Sequence, residues 1–147
     1  MVSNQTVVSR GILSYNEMIK LNDYILNEIK KQNGEAIFDE LYFSPFHPKA
    51  TIEAYRKDSD CRKPRAGMFL KAQEKLDIDF KQSFVIGDRL TDIYAGKSVG
   101  CIGIQLLTGS ENEPLIESGL ELNAEWLRPD FKFKTLFEAV LYIKGQI

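Results

Sequence analysis

Cysteine is scarce in this chain of 147 residues: Cys61 and Cys101 are the only two, far apart in the sequence. A disulfide framework is therefore not expected, and a reduced, cytoplasmic setting is the simplest one. Long apolar runs are also missing, and nothing approaches the ~20 residues that a membrane-crossing helix requires. The opening MVSNQTVVSRG has neither a charged n-region nor a long apolar h-region, so it does not read as a signal peptide. No sign of charge dominates: 19 Lys and Arg stand against 21 Asp and Glu, a net charge of -2. That balance gives no general pull toward nucleic acid or an anionic membrane, and neither is expected as a partner. Arg62, Lys63 and Arg65 nevertheless make a local basic cluster. Repeats, low-complexity tracts and linkers are absent, which at this length implies a single domain over 1–147. What is present is 44% apolar residues, sufficient for a core, and an ordinary 27% charged residues.

Ser14-Tyr15-Asn16-Glu17 has the form of a capping box. Met18, Leu21, Ile25 and Ile29 follow at helical spacing before Asn33-Gly34, which predicts a helix over about 15–32. Ala36 to Phe43 is rich in apolar and aromatic residues and predicts a strand. Ser44 to Asp60 has no clean period and reads as loop. A helix is expected over 66–76, with Met68, Phe69, Ala72 and Leu76 available for the core. Pro64 biases Lys63 away from helical angles and leaves it just outside that helix. Ser83 to Ile86 and Cys101 to Leu107 read as strands buried on both faces. Thr91 to Ser98 between them reads as a helix, so the three make a right-handed βαβ unit. Glu111 to Leu127 resists assignment; Trp126 within it reads as a packing residue rather than a ligand contact. Thr135-Leu136-Phe137-Glu138 opens a last helix to about Lys144. Alternating helices and strands predict a three-layer α/β fold. Ligands in such folds lie beyond the carboxyl ends of the strands, where Ser3, Asp88 and Thr108 fall.

Two stretches carry the chemistry. Cys61-Arg62-Lys63-Pro64-Arg65-Ala66-Gly67-Met68 places a lysine before a helix, and Phe84-Val85-Ile86-Gly87-Asp88-Arg89-Leu90-Thr91-Asp92 places two acids after an apolar strand. Asp88 either binds Mg²⁺, a hard cation that prefers oxygen ligands, or caps the next helix. Asp92 either holds Lys63 in an ion pair or favours the helix N-terminus. Lys63 is a surface lysine or a counter-charge for a phosphoryl group, and Arg62 suits a bidentate phosphate or carboxylate contact. The Ser3 hydroxyl and the N–H groups after it suit the same phosphoryl oxygens.

In this order and spacing, Ser-Asn-Gln, Cys-Arg-Lys-Pro-x-x-Gly-Met and Gly-Asp-x-x-x-Asp resemble the haloacid dehalogenase (HAD) superfamily of phosphatases. The likeness runs from Val2 to about Gly109. It is narrowest to the branch of D-glycero-D-manno-heptose 1,7-bisphosphate and histidinol-phosphate phosphatases. The resemblance implies a three-layer, HAD-like Rossmannoid fold with a parallel sheet. It also implies Mg²⁺ as cofactor and a small phosphorylated sugar, most simply the heptose bisphosphate, as substrate. It gives catalytic positions to Ser3, Lys63 and Asp92, substrate contacts to Asn4, Gln5, Thr6, Arg62 and Arg89, and the metal to Asp88.

The resemblance also implies an Asp-x-Asp-Gly nucleophile motif at the end of a first, central strand, and no such motif precedes Ser3. The expectation is an N-terminally truncated domain, inactive alone for want of the attacking carboxylate, with the missing strand upstream of Met1 in the natural protein; another segment, a strand-donating partner, self-association or a rearranged sheet are the alternatives. Asp77-Ile78-Asp79 has the right spacing, but reads as a loop before the next strand. A structural zinc common in the branch would use Ser44, Phe46, Ser59 and Cys61, of which one is a ligand type. His47 beside them does not complete a four-coordinate site, so no zinc is expected. The loop would then be held by packing through Phe43, Phe46 and Tyr55, or be mobile. A histidinol-phosphate substrate and a non-catalytic phosphate-binding or docking module are the alternative functions.

Overall fold

A computed structural model describes residues 1–108 and 121–146. The chain forms two compact units, Met1–Arg62 and Lys63–Ile147.

In the first unit, strand β1 (Val2–Asn4) is followed by the short helix α1 (Thr6–Ser9), the long helix α2 (Tyr15–Gln32) and strand β2 (Tyr42–Ser44). β1 and β2 pair in parallel, Val2 with Tyr42 through Asn4 with Ser44. α2 starts where the capping box places it. Ser14 Oγ accepts the Glu17 N–H at 3.2 Å, and Glu17 Oε2 accepts the Ser14 N–H at 2.7 Å. Hydrogen bonds from the Ser14 backbone N–H and from its side chain hold the Glu17 carboxyl below its ordinary range. Val8, Met18 and Ala50 are the buried apolar residues of this unit, and Tyr15 stacks at a tilt on Phe43 with ring centroids 5.0 Å apart.

The strand predicted over 36–43 is shorter and later than its composition suggests. Only three residues, Tyr42 to Ser44, find a ladder partner in β1. Ile37 and Phe38 are 80% and 42% exposed; apolar content without a neighbouring strand or a face to bury does not make a strand. The loop after β2 is held largely as expected. Phe46 and Tyr55 lie 6.1 Å apart, Lys57 Nζ sits 4.2 Å from the Phe46 ring centre, and Arg56 Nε donates to the Ala50 carbonyl at 2.8 Å. Phe43 does not join them, being taken by Tyr15. A single 3₁₀ turn, Glu53–Tyr55, interrupts the loop.

The second unit contains helix α3 (Gly67–Leu76), a 3₁₀ turn (Phe80–Gln82), β3 (Phe84–Gly87), α4 (Leu90–Lys97), β4 (Ile102–Leu106), β5 (Phe131–Phe133) and α5 (Leu136–Lys144). The sheet order is β3-β4-β5, parallel throughout. Its register places Val85, Gly87 and Gly103 on one face, and Ile104, Phe131 and Phe133 on the other. α4 covers the first face and α5 the second, where Tyr142 meets Phe131 and Phe133 at 4.4 and 5.5 Å between centroids. The unit is thus helix, sheet, helix.

α4 lies unusually close to its sheet. A Cβ on Gly96 would fall 2.4 Å from Val85 Cγ1, and one on Gly103 would fall 2.9 Å from Ile93 Cγ2. Glycine at both places lets the helix backbone and the strands approach directly. α3 buries Met68 and Ala72, but Leu76 in its last turn is 39% exposed. The helix ends there on Asp77, in the left-handed conformation at φ 49° that Asp tolerates.

β5 was not expected. Asp130 prepares it: its backbone N–H donates to the Gly103 carbonyl at 2.8 Å, and its carboxylate accepts the Gly103 N–H at 2.6 Å and Lys97 Nζ at 2.7 Å. Partial burial pushes the Asp130 carboxyl up, but the lysine and the two backbone N–H groups outweigh it and hold the group below the ordinary range. Trp126 packs edge-on to Tyr94 at 5.5 Å, which is the packing role expected of it. Residues 111–120 of the unassigned segment lie outside the described residues. No helix among the described residues is long and apolar enough to cross a membrane.

Phe80, Val85 and Cys101 make a core cluster flanked by Phe69, Ile78 and Val99. Burial pushes the Cys101 thiol up from about 9 to about 11. The folded protein therefore keeps a proton that the unfolded chain loses. Stability linked to this thiol is complete below pH 9 and lost as pH rises toward 11, by up to about 2–3 kcal/mol. Urea unfolding at pH 8 and pH 10.5 should show this extra alkaline loss in the wild-type protein and not in Cys101→Ala.

Candidate functional site

β3 runs straight into the acidic turn. Gly87 ends the strand, Asp88 and Arg89 form the turn, and α4 begins at Leu90. Asp92 stands in the first turn of α4 and is nearly buried. Its two carboxylate oxygens have different tasks. Oδ1 takes Lys63 Nζ at 2.6 Å, with the side chains only 8% and 13% exposed for Lys63 and Asp92 respectively. Oδ2 accepts the Arg89 N–H at 3.2 Å, which satisfies a donor at the helix start. Both alternatives open for Asp92 are thus realised at once. Such a short, dry ion pair is far stronger than an exposed one.

Asp88 does not cap α4; Arg89 is the N-cap residue. The Asp88 carboxylate is half-buried at the carboxyl end of β3, and among the described residues no hydrogen bond or ion pair engages it. Among the described residues no three His, Cys, Asp or Glu side chains converge as a metal cluster. Mg²⁺ is commonly held by one or two carboxylates completed by water and phosphate oxygens, so the Asp88 carboxylate fits that ion.

The remaining expected residues belong to the first unit, except Arg89, which is exposed in the turn. Ser3 and Asn4 end β1. Gln5 Nε2 donates to Ser3 Oγ at 3.0 Å, and the Gln5 N–H donates to the Ser44 carbonyl at 2.8 Å. Thr6 opens α1. Arg62 donates through a guanidinium N–H to the Phe46 carbonyl at 3.2 Å. The structure therefore joins Lys63 to Asp92, Asp92 to the Arg89 backbone and Gln5 to Ser3.

Asp77 and Asp79, the one Asp-x-Asp of the sequence, have structural tasks. Asp77 is the left-handed cap of α3. Asp79 accepts the Lys81 N–H at 3.0 Å and Gln82 Nε2 at 2.8 Å. Neither arrangement suits a nucleophile. Gly87 was read only as part of the Gly-Asp motif and was given no task at the site. Its signal is only its place between an apolar strand and Asp88.

Comparison with known proteins gives the same direction. The HAD-hydrolase-like family pattern matches residues 60–139. The chain is 38% identical over 107 residues to a D-glycero-beta-D-manno-heptose-1,7-bisphosphate 7-phosphatase of Photorhabdus laumondii, covering 73% of this chain and 55% of that protein. It is 30% identical over 144 residues to the enzyme of the same name from Haemophilus ducreyi, covering 97% of this chain and 73% of that one. It therefore spans little more than half the length of the first relative. The crystal structure of a D,D-heptose 1,7-bisphosphate phosphatase from B. bronchiseptica, complexed with magnesium and phosphate, shares the fold at TM-score 0.76 and 20% identity, over 99% of this chain and 73% of that chain. With Lys63, the Gly87-Asp88 turn and Asp92 all inside the matched segment, the chain belongs to the HAD superfamily of phosphatases, in the branch that holds the heptose-1,7-bisphosphate phosphatases.

Proposed function

We propose that Lys63, Asp88 and Asp92 serve a phosphoryl group and Mg²⁺ in a phosphatase of a small phosphorylated sugar, with D-glycero-D-manno-heptose 1,7-bisphosphate as substrate. The observation that carries this reading is the buried Lys63–Asp92 ion pair, 2.6 Å long, in the same βα turn as the uncommitted Asp88 carboxylate. Burying a lysine costs several kcal/mol unless it is paired, and the exposed Lys31–Glu28 pair on α2 shows that this chain makes ordinary ion pairs at its surface. In this reading Asp92 aims Lys63, and Lys63 offsets negative charge on phosphoryl oxygens. The family resemblance gives phosphoryl-oxygen contacts to Ser3 and the N–H groups of Asn4, Gln5 and Thr6, and substrate contacts to Arg62 and Arg89. Asp88 would hold Mg²⁺, which supplies further positive charge against the phosphate. With Asp77 and Asp79 engaged in capping, these residues bind without supplying an attacking carboxylate. The 147-residue chain alone is then a phosphate binder that does not turn over.

Calorimetry with inorganic phosphate, with and without MgCl₂, tests this. Binding that strengthens with Mg²⁺ is expected. Asp88→Asn should lose the Mg²⁺ enhancement and keep metal-free binding, and Lys63→Met should lose both. Absence of phosphate binding under either condition would overturn the site assignment. Phosphate release from the heptose bisphosphate by the chain alone would overturn the nucleophile argument.

A further inference from the structure

We infer that Gly87 is a positioning residue for the Lys63–Asp92 pair: the missing side chain at the end of β3 is the space into which the Asp92 carboxylate folds. This rests on the proposed role of that pair toward phosphate, but its structural part is testable without it. A Cβ built on Gly87 would fall 2.4 Å from Asp92 Cβ, 2.7 Å from its Cγ and 2.6 Å from its Oδ2. Carbon atoms in contact stand about 3.5–4.0 Å apart, so the position is sterically closed to every other residue type. Backbone conformation is not the cause, because among the described residues the positive-φ glycines are Gly11 and Gly100.

What fills the space distinguishes Gly87 from the other close approaches of α4. Gly96 makes room for Val85, and Gly103 for Ile93 and the stem of Lys97; those are packing contacts. Gly87 makes room for a carboxylate that holds Lys63. The nearest atom is Asp92 Cβ, close to the helix backbone, so rotating the end of the side chain cannot clear a methyl group at 87. Helix α4 would have to move away, yet its approach is set by Gly96 on Val85 and Gly103 under Ile93. The strained part is then the carboxylate itself. Moving Oδ2 gives up the Arg89 N–H at 3.2 Å, and moving Oδ1 gives up Lys63 at 2.6 Å. A methyl group that touches neither Lys63 nor a ligand thus acts on Lys63 through Asp92.

The test uses the protein with ¹⁵N-labelled lysine. In the wild type, Lys63 should show an ammonium resonance protected from solvent exchange. In Gly87→Ala that resonance should disappear or move to the position of exposed lysines, and phosphate should bind at least 10-fold more weakly. Ile104→Ala, a packing change on the sheet face opposite α4, should lower the melting temperature and leave the Lys63 resonance in place. A Gly87→Ala protein with the wild-type Lys63 resonance would overturn the inference, whatever its stability. If Gly87→Ala does not fold, the pair is tested in the Asp92→Gly background, where no side chain occupies the space. There Gly87→Ala should have no further effect on the melting temperature; failure to fold in that background as well would overturn the inference. Should the wild type bind no phosphate while Gly87→Ala still displaces Lys63, the positioning stands and the phosphate reading falls.

Discussion

Asp92→Ala is expected to lower the unfolding free energy by about 3–5 kcal/mol, the range for removing one partner of a buried ion pair. The cost is not the loss of an attraction measured in water. Lys63 is 7% exposed, and without the carboxylate its ammonium keeps the desolvation penalty and loses the counter-charge that offset it. Against a total stability of roughly 5–15 kcal/mol, that is a large fraction, readable as a shift of the urea midpoint at unchanged slope. Two further variants separate charge from shape. Asp92→Asn keeps an acceptor for the Arg89 N–H but supplies no negative charge, so it should recover only a small part of the loss. Lys63→Met in the Asp92→Ala background removes the buried charge that has lost its carboxylate and keeps the stem's volume, so the double variant should be more stable than Asp92→Ala alone. A double variant less stable than Asp92→Ala would mean that the pair contributes through packing, and that its burial says nothing about charge.

The same pair illustrates what was legible in the sequence. Lys63 before a proline-led helix, and Asp88 and Asp92 four apart after an apolar strand, are local patterns, and the ion pair follows once the strand and helix are placed. α2 was readable to the residue because both ends carry their own signals, a reciprocal Ser14–Glu17 cap and a stop at Asn33-Gly34. β3 and β4 were readable as short apolar runs bounded by turn residues. Failures came where structure depends on a distant partner. Phe131-Lys132-Phe133 is too short to announce a strand, and becomes one because Asp130 ties its start to Gly103, 27 positions away. Conversely, Ala36 to Phe43 has the composition of a strand, but only its last two residues and Ser44 lie beside β1. Gly87 was invisible as a site residue for a different reason. An absent side chain has no chemistry to recognise, and its value appears only when the neighbour that uses the space is known.

Ile104→Ala is the second large effect, expected at about 2–5 kcal/mol. Ile104 is fully buried in β4, the middle strand, with Ile86 beside it on β3 and Phe131 on β5. Its side chain points to the face that α5 covers. Deleting three methyl or methylene carbons there loses their transfer free energy and leaves a void between two strands and a helix. How much of the void can close decides the size within the range. The α4 side cannot yield, since Gly96 and Gly103 already bring that helix to the sheet. Closure must come from α5, whose Tyr142 is held between Phe131 and Phe133. Ile104→Val, which removes a single carbon, should cost about 0.5–1.5 kcal/mol. The Lys63 resonance should persist in both variants, because Ile104 faces away from α4. If Ile104→Ala displaced it, the two faces of the sheet would be mechanically coupled, and the position of Asp92 would depend on α5 as well as on Gly87.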